Sequence, residues 1–288
     1  MNKFVKGASV AALATVFAAG TAYAANFSQG FKTDTAGWND FSGGTIVRVP
    51  SGDNGITSHE GDYHAVVDGP VYTQWGGYES TFPTDGYQTS VAVYLDMDEA
   101  DGSDKRFDFS SAINNPSGDH RRDFIFHLGT VPGSTASGEW AVSASNNAPG
   151  WPLNPNKEHI IIDESGWYTL RHTFTDNGSG ILTVDLDVLD ESGIVLGTWT
   201  LSDDSDVIGT TVGGNRYGWF TSQRFDLDSL AIDSSEKVEL EDEVVVGPPT
   251  TKDECKKDGW KTFNNPTFKN QGQCVSSVVT ADAPGKNK

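Results

Sequence analysis

The chain has 288 residues, with 40 acidic side chains against 20 basic ones and a formal net charge of −20. A surface of that sign repels phosphate backbones and anionic lipid heads, which argues against nucleic acid and membrane as partners. Strongly polyanionic glycans are disfavoured too, unless a local basic cluster or bound calcium offsets the field.

Residues 1–24 read as a secretory signal peptide. Lys3 and Lys6 form the positive start, residues 8–20 are apolar but too short to span a bilayer, and Ala22-Tyr23-Ala24 is a cleavage site. The expected product starts at Ala25 and is secreted, extracellular or attached to the cell surface. Loss of two lysines and no acid takes it from −20 to near −22. No later stretch reaches the ~20 apolar residues of a membrane helix, so no membrane insertion is expected.

Residues 25–233 are rich in Thr, Val, aromatics and Gly, with turn chemistry every ten residues or so and no sustained helical period. The pattern predicts strands at 27–31, 45–49, 63–67, 88–96, 106–112, 123–128 and 140–145. Next come a meander over 167–174, 182–188 and 194–201, and a last strand at 227–233 that pairs near the first. In the meander Tyr168, Leu170, His172 and Phe174 share one face, and Asp176-Asn177-Gly178-Ser179-Gly180 turns the chain. Many short strands without a helix predict an all-β, two-sheet antiparallel sandwich.

Four features bear on chemistry. Asp96, Asp98, Asp101 and Asp104 crowd one turn after a strand, an oxygen-rich loop suited to structural calcium, and Ser202–Asp206 is a weaker second loop. Asp185 and Asp187 lie on the polar side of an alternating strand, and Asp190 sits at the turn that follows it. Arg122 and His127 stand out in a chain with few positive charges, with Phe124 and Phe126 expected on one face of their strand and Ile125 and His127 on the other. Finally, Tyr72 to Tyr78, Asn146 to Trp151 and Gly213 to Phe220 interleave aromatics with Gly and amides and read as loops. Sugar sites use flat rings against C–H faces, with amides and Arg on the hydroxyls. The candidate ligand-binding residues are therefore Trp75, Tyr78, Arg122, His127, Asn146, Trp151, His172, Asn215, Arg216, Tyr217 and Trp219, eight of which (all but His127, Asn146 and His172) are expected around one concavity. An extracellular polysaccharide is the expected partner. One alternative is a polysaccharide-cleaving enzyme on the same concave face, either a hydrolase with two carboxylates or a lyase. The lyase would use His127 or His172 with Tyr217 as base and acid, and Arg122 to neutralise a uronate. A structural surface or matrix protein is a second alternative. The sequence commits to no catalytic residue.

The run from Gly166 to Gly178 followed by Leu182 to Val188 resembles the central hairpin of concanavalin A-like lectin/glucanase and laminin-G-like domains, which implies a jelly roll. Glucanases of the laminarinase kind carry Glu-x-Asp-x-x-Glu on one strand. Here the outer positions are Asp185 and Asp190, whose shorter side chains do not span the same gap.

Residues 234–250 read as an acidic, Pro-containing linker, 251–280 as a disulfide-closed C-terminal module and 281–288 as a disordered tail. Cys255 and Cys274, the two cysteines of an exported chain, are expected to pair. Lys252-Asp-Glu-Cys-Lys256, Gly259-Trp260, Phe268-Lys-Asn-Gln-Gly272 and Cys274-Val275 resemble a two-cysteine element that recurs at the C-terminus of exported bacterial proteins. From residue 249 onward seven lysines face four acids, a local +3.

Overall fold

A computed structural model of the chain describes residues 25–100, 105–130, 138–147, 157–224, 230–240, 247–257, 259–263 and 266–281. The expected signal peptide, Asp101, Asp104, Trp151 and residues 282–288 of the expected C-terminal tail lie outside them, while Ala281 is described. The described residues form two compact units that divide at Glu239 and Leu240.

The first unit is a jelly-roll sandwich of two antiparallel sheets. One sheet runs β13 (Val195–Val207), β12 (Ile181–Leu189), β11 (Gly166–Asp176), β6 (Tyr87–Leu95), β15 (Leu230–Glu239), β4 (Tyr63–Asp68) and β3 (Thr45–Pro50), with β1 (Ala25–Gln29) also paired to β15. The other runs β10 (His159–Ile162), β9 (Trp140–Asn146), β8 (His120–Thr130), β7 (Lys105–Asn114), β14 (Asn215–Arg224), β5 (Val71–Thr73) and β2 (Trp38–Asp40).

The period of two in the sequence does the sorting. Along β11, Tyr168, Leu170, His172 and Phe174 are buried, while Thr169, Arg171, Thr173 and Thr175 are partly exposed. Phe107 and Phe109 of β7 and Phe124 and Phe126 of β8 meet Val91, Val93, Leu170, Phe174, Val184 and Leu186 of the facing sheet in one core. Polar bonds cross it, among them the Thr89 hydroxyl donating to Ser111 Oγ at 3.0 Å, Trp38 Nε1 donating to Ser235 Oγ at 2.9 Å and His172 Nε2 bonding Phe124 O at 3.0 Å.

Three expectations are corrected here. Gly213 to Phe220 is largely strand β14, inside its sheet between β7 and β5, and not a loop. Ser202–Asp206 is the end of β13. Asp203 and Asp206 there take Arg121 and Arg122 of β8 at 2.6 to 3.1 Å, so the carboxylates answer arginines of the other sheet and not a metal. The linker cannot start at Ser234, because β15 continues to Glu239 with Ser235 and Lys237 buried. A bulge at Ser234, whose φ is 43°, sets that alternation.

The second unit holds Cys255 and Cys274 in a disulfide with Cα atoms 5.7 Å apart, beside a small cluster of Phe263, Phe268 and Val278. It also contains a helix that the sequence pattern did not suggest, α1 (Gln271–Ala281), with Asn270 Oδ1 accepting the Gln273 N–H at 2.9 Å as its cap. No helix among the described residues is long and apolar enough to cross a membrane.

Candidate functional site

On the outward face of the β14 sheet, Phe41, Tyr72, Tyr78, Tyr217 and Trp219 line one cleft of about 340 Å3. Alternation places them. Phe220 and Gly218 of β14 turn inward, so Tyr217 and Trp219 turn out, and Trp219 pairs across to Tyr72 of β5. Phe41 follows β2 in a tight turn, with its N–H on Pro70 O at 3.1 Å and Ser42 at a φ of 50°. The rings meet edge to face. Phe41 lies 5.9 Å from Tyr72 at 83° and 6.3 Å from Trp219 at 77°, and Tyr217 lies 5.9 Å from Trp219 at 73°. Phe41 and Tyr78 remain 48% and 51% exposed.

Tyr78 is fixed by a knot of amides behind it. Buried Asn215 donates through Nδ2 to Gln74 O at 3.3 Å and Gly77 O at 3.0 Å. Buried Asn114 donates through Nδ2 to Glu79 O and to Asn215 O, both at 3.0 Å. A Cβ at Gly213 or Gly214 would meet backbone of residues 79–81 and 115, which explains the Gly-Gly pair. The Glu79 carboxylate accepts from buried Lys237 Nζ at 2.6 Å.

At the edge of the cleft, His120 stacks on Tyr217 with centroids 6.1 Å apart and bonds Asp123 Oδ2 through Nε2 at 2.7 Å. Burial, with the Asp123 charge adding to it, pushes the Tyr217 hydroxyl up to about 12. It is a neutral hydroxyl across the ordinary pH range.

Of the predicted residues, the fold gathers Tyr78, Arg216, Tyr217 and Trp219 around the cleft, with Asn215 behind them. Trp75 is instead buried in the core. A φ of 54° turns it inward, and its indole lies against β14 at Gly218, where a Cβ would collide with it. His172 is also in the core, bonded through Nε2 to Phe124 O at 3.0 Å. Arg122 is committed to Asp203 and Asp206 and does not reach the cleft's rings. His127 shares the outward face but sits two strands from Trp219, held between Asp108 Oδ1 and Ser145 Oγ at 2.7 Å each. Ser145 is fully buried, and the Asp108–His127–Ser145 relay ties β7, β8 and β9 together. Asn146 ends β9 opposite Phe124. The lyase reading loses His172 and Arg122 by these placements.

Phe41 was missed. The available signal was an aromatic inside a Ser-Gly-Gly turn. His120 and Asn114 gain their roles from partners distant in sequence. The three aspartates Asp185, Asp187 and Asp190 are a ladder: Asp185 accepts from Thr200, Asp187 from Arg171 and Thr198, and Asp190 from two turn N–H groups. Asp96 Oδ1 accepts the Asp98 N–H at 2.9 Å, and no group of three or more metal-binding side chains occurs among the described residues.

No protein-family model matches the chain, and no curated protein matches it. Among solved structures it is similar to the globular domain of T. cruzi calreticulin, at 8% identity and a TM-score of 0.45 over 90% of this chain and 98% of that one. It is also similar to an endo-1,3-β-glucanase from Streptomyces sioyaensis, at 10% identity and 0.42 over 79% and 100%. The exoplasmic/lumenal domain of VIP36, in a form bound to Ca2+ and Man2, gives 12% and 0.41 over 75% and 88%. Likeness at this level transfers neither ligand nor reaction.

Proposed function

We propose that this is a secreted carbohydrate-binding protein that holds an extracellular polysaccharide in the aromatic cleft. The observation that carries the reading is the convergence of five rings from four separate segments on one cleft, two of them about half exposed. Apolar faces left in water cost free energy, and a sugar's C–H face covers them while leaving its hydroxyls to amides and water. Rings set at 73° to 83° build a slot and not a flat platform, which suits a single soluble chain.

The test is titration calorimetry on a panel of soluble oligosaccharides. Trp219→Ala and Phe41→Ala are expected to weaken binding by ~1–3 kcal/mol each with the fold intact by circular dichroism. Trp75→Ala is expected instead to cost ~3–5 kcal/mol of stability, as a core deletion does. Unchanged affinity in both cleft variants would remove the cleft from the function.

Calcium in the loop after β6 is proposed on the aspartate spacing alone. Calcium takes six or more oxygens, and in this reading Asp96, Asp98, Asp101 and Asp104 contribute carboxylates, with carbonyls and water completing the set. At an ion concentration 100-fold above Kd the linkage is ~2.7 kcal/mol, several degrees of Tm for a domain of this size. A Tm indifferent to excess chelator and to added calcium rules the ion out.

A further inference from the structure

Carboxylates outnumber cations two to one in this chain. The cations that sit inside the fold are accordingly claimed: Arg121 and Arg122 by Asp206, Arg171 by Asp187, Lys105 by Glu99 and Lys237 by Glu79. Arg48 and Arg216 differ: among the described residues neither has a carboxylate within ion-pair distance. Arg48 donates to Phe31 O and Lys32 O and lies over Tyr63, away from the cleft, whereas Arg216 lies beside it. The Arg216 Nη1 protons go to neutral acceptors, Asn114 Oδ1 at 2.7 Å and Gly118 O at 2.8 Å. Its Nη2 donates to none of the described residues. The guanidinium lies over the rings of Tyr78 at 5.1 Å and Tyr217 at 5.6 Å, and both rings line the cleft.

Neutral acceptors orient a guanidinium without cancelling its charge, and ring faces beside it strip water and lower the local dielectric. A partly desolvated, uncompensated cation with a donor pair to spare gains most from an anion supplied by the ligand. The long-range field of the protein, at −20, opposes a polyanion, so a local cation at the cleft serves selection of a particular group more than bulk attraction. We infer that the glycan held in the cleft carries an anionic substituent, a uronate carboxylate or a sulfate ester, and that Arg216 binds it. The inference rests on the glycan reading above and names its substrate class.

The experiment compares matched ligands on the full chain by calorimetry: a short galacturonate oligosaccharide against its methyl ester, and a sulfated galactan oligosaccharide against its unsulfated parent. Expected is a preference of about tenfold or more for one acid over its neutral partner, the scale of a charge-assisted bond. The pair that shows the preference identifies carboxylate or sulfate. Arg216→Gln should bring that ratio close to one while the neutral ligand still binds, and Arg216→Lys should restore part of it. If Arg216 only braces the turn at Asn114 to Gly118, the glutamine variant weakens acid and neutral ligands alike, and the inference falls. Equal wild-type affinity within both pairs overturns it without any variant and leaves glycan binding standing. No binding of any of the four overturns it together with the glycan reading.

Discussion

Burial of His172 among Phe109, Phe126 and Phe174 keeps its imidazole neutral and lowers its pKa to about 3, with the bond to Phe124 O only partly opposing the shift. In the unfolded chain the same group titrates near 6.5. Between those values the unfolded state binds a proton that the folded state refuses, so this contribution is complete above pH 6.5 and is lost as pH falls toward 3. The slope is about 1.4 kcal/mol per pH unit, or about 2 kcal/mol by pH 5. Urea unfolding of wild type and His172→Leu at pH 7, 6 and 5 checks it. The variant is expected to start lower, having left the Phe124 carbonyl unpaired, and to decline less steeply. Parallel declines would show that His172 does not set the acid response. The sequence placed His172 correctly on the strand face it shares with Leu170 and Phe174, yet read it as a possible base. Strand parity says which side a residue faces, and only the second sheet says whether that side is wet. The same gap explains Trp75 and Tyr78. Three residues apart in one Gly-containing turn, they point to opposite sides because Trp75 adopts a positive φ that no composition rule reveals.

Strands with clean alternation were legible, and those whose side chains answer distant partners were not. β11 and β12 form the hairpin expected over 167–188, and they pair with Arg171 opposite Asp187 and Thr173 opposite Asp185. The acid-rich end of β13 looked like a turn because nothing local neutralises Asp203 and Asp206. Their arginines are more than eighty residues away on β8, and Asp206, almost fully buried, bonds both Arg121 and Arg122. β14 looked like a loop because it carries Gly218, but that glycine is the flat spot on which the Trp75 indole rests. β15 ran past its expected end because Lys237, which reads as a linker charge, is sealed against Glu79 and lies 5.4 Å from the Tyr87 ring centre. Each of these polar or glycine-containing segments is held in a strand by long-range contacts, and those of β14 and β15 position the cleft: Lys237 anchors Glu79, next to Tyr78, and Gly218 admits Trp75, which fixes the other side of the same turn.

At the scale of the molecule, a net charge of −20 and a single uncompensated arginine at the cleft act on an anionic ligand with opposite signs and different ranges. The field of the whole protein acts during approach and is cut off by salt, with a Debye length of about 30 Å at 0.01 M and about 10 Å at 0.1 M. The Arg216 contact forms at bonding distance, in a partly water-excluded site, and is screened far less. Association of an anionic oligosaccharide should therefore speed up as salt is raised from 10 to 100 mM, by several-fold or more, while its neutral counterpart associates at a constant rate. Dissociation, which breaks the Arg216 contact, should change little over the same range. Stopped-flow tryptophan fluorescence reports both steps, because Trp219 lines the cleft. An association rate that instead fell with salt would mean that the potential at the cleft mouth is positive, and that the excess carboxylates lie where the ligand never passes. The sign of that slope is thus a measurement of how the charge is distributed, which the sequence total of −20 leaves open.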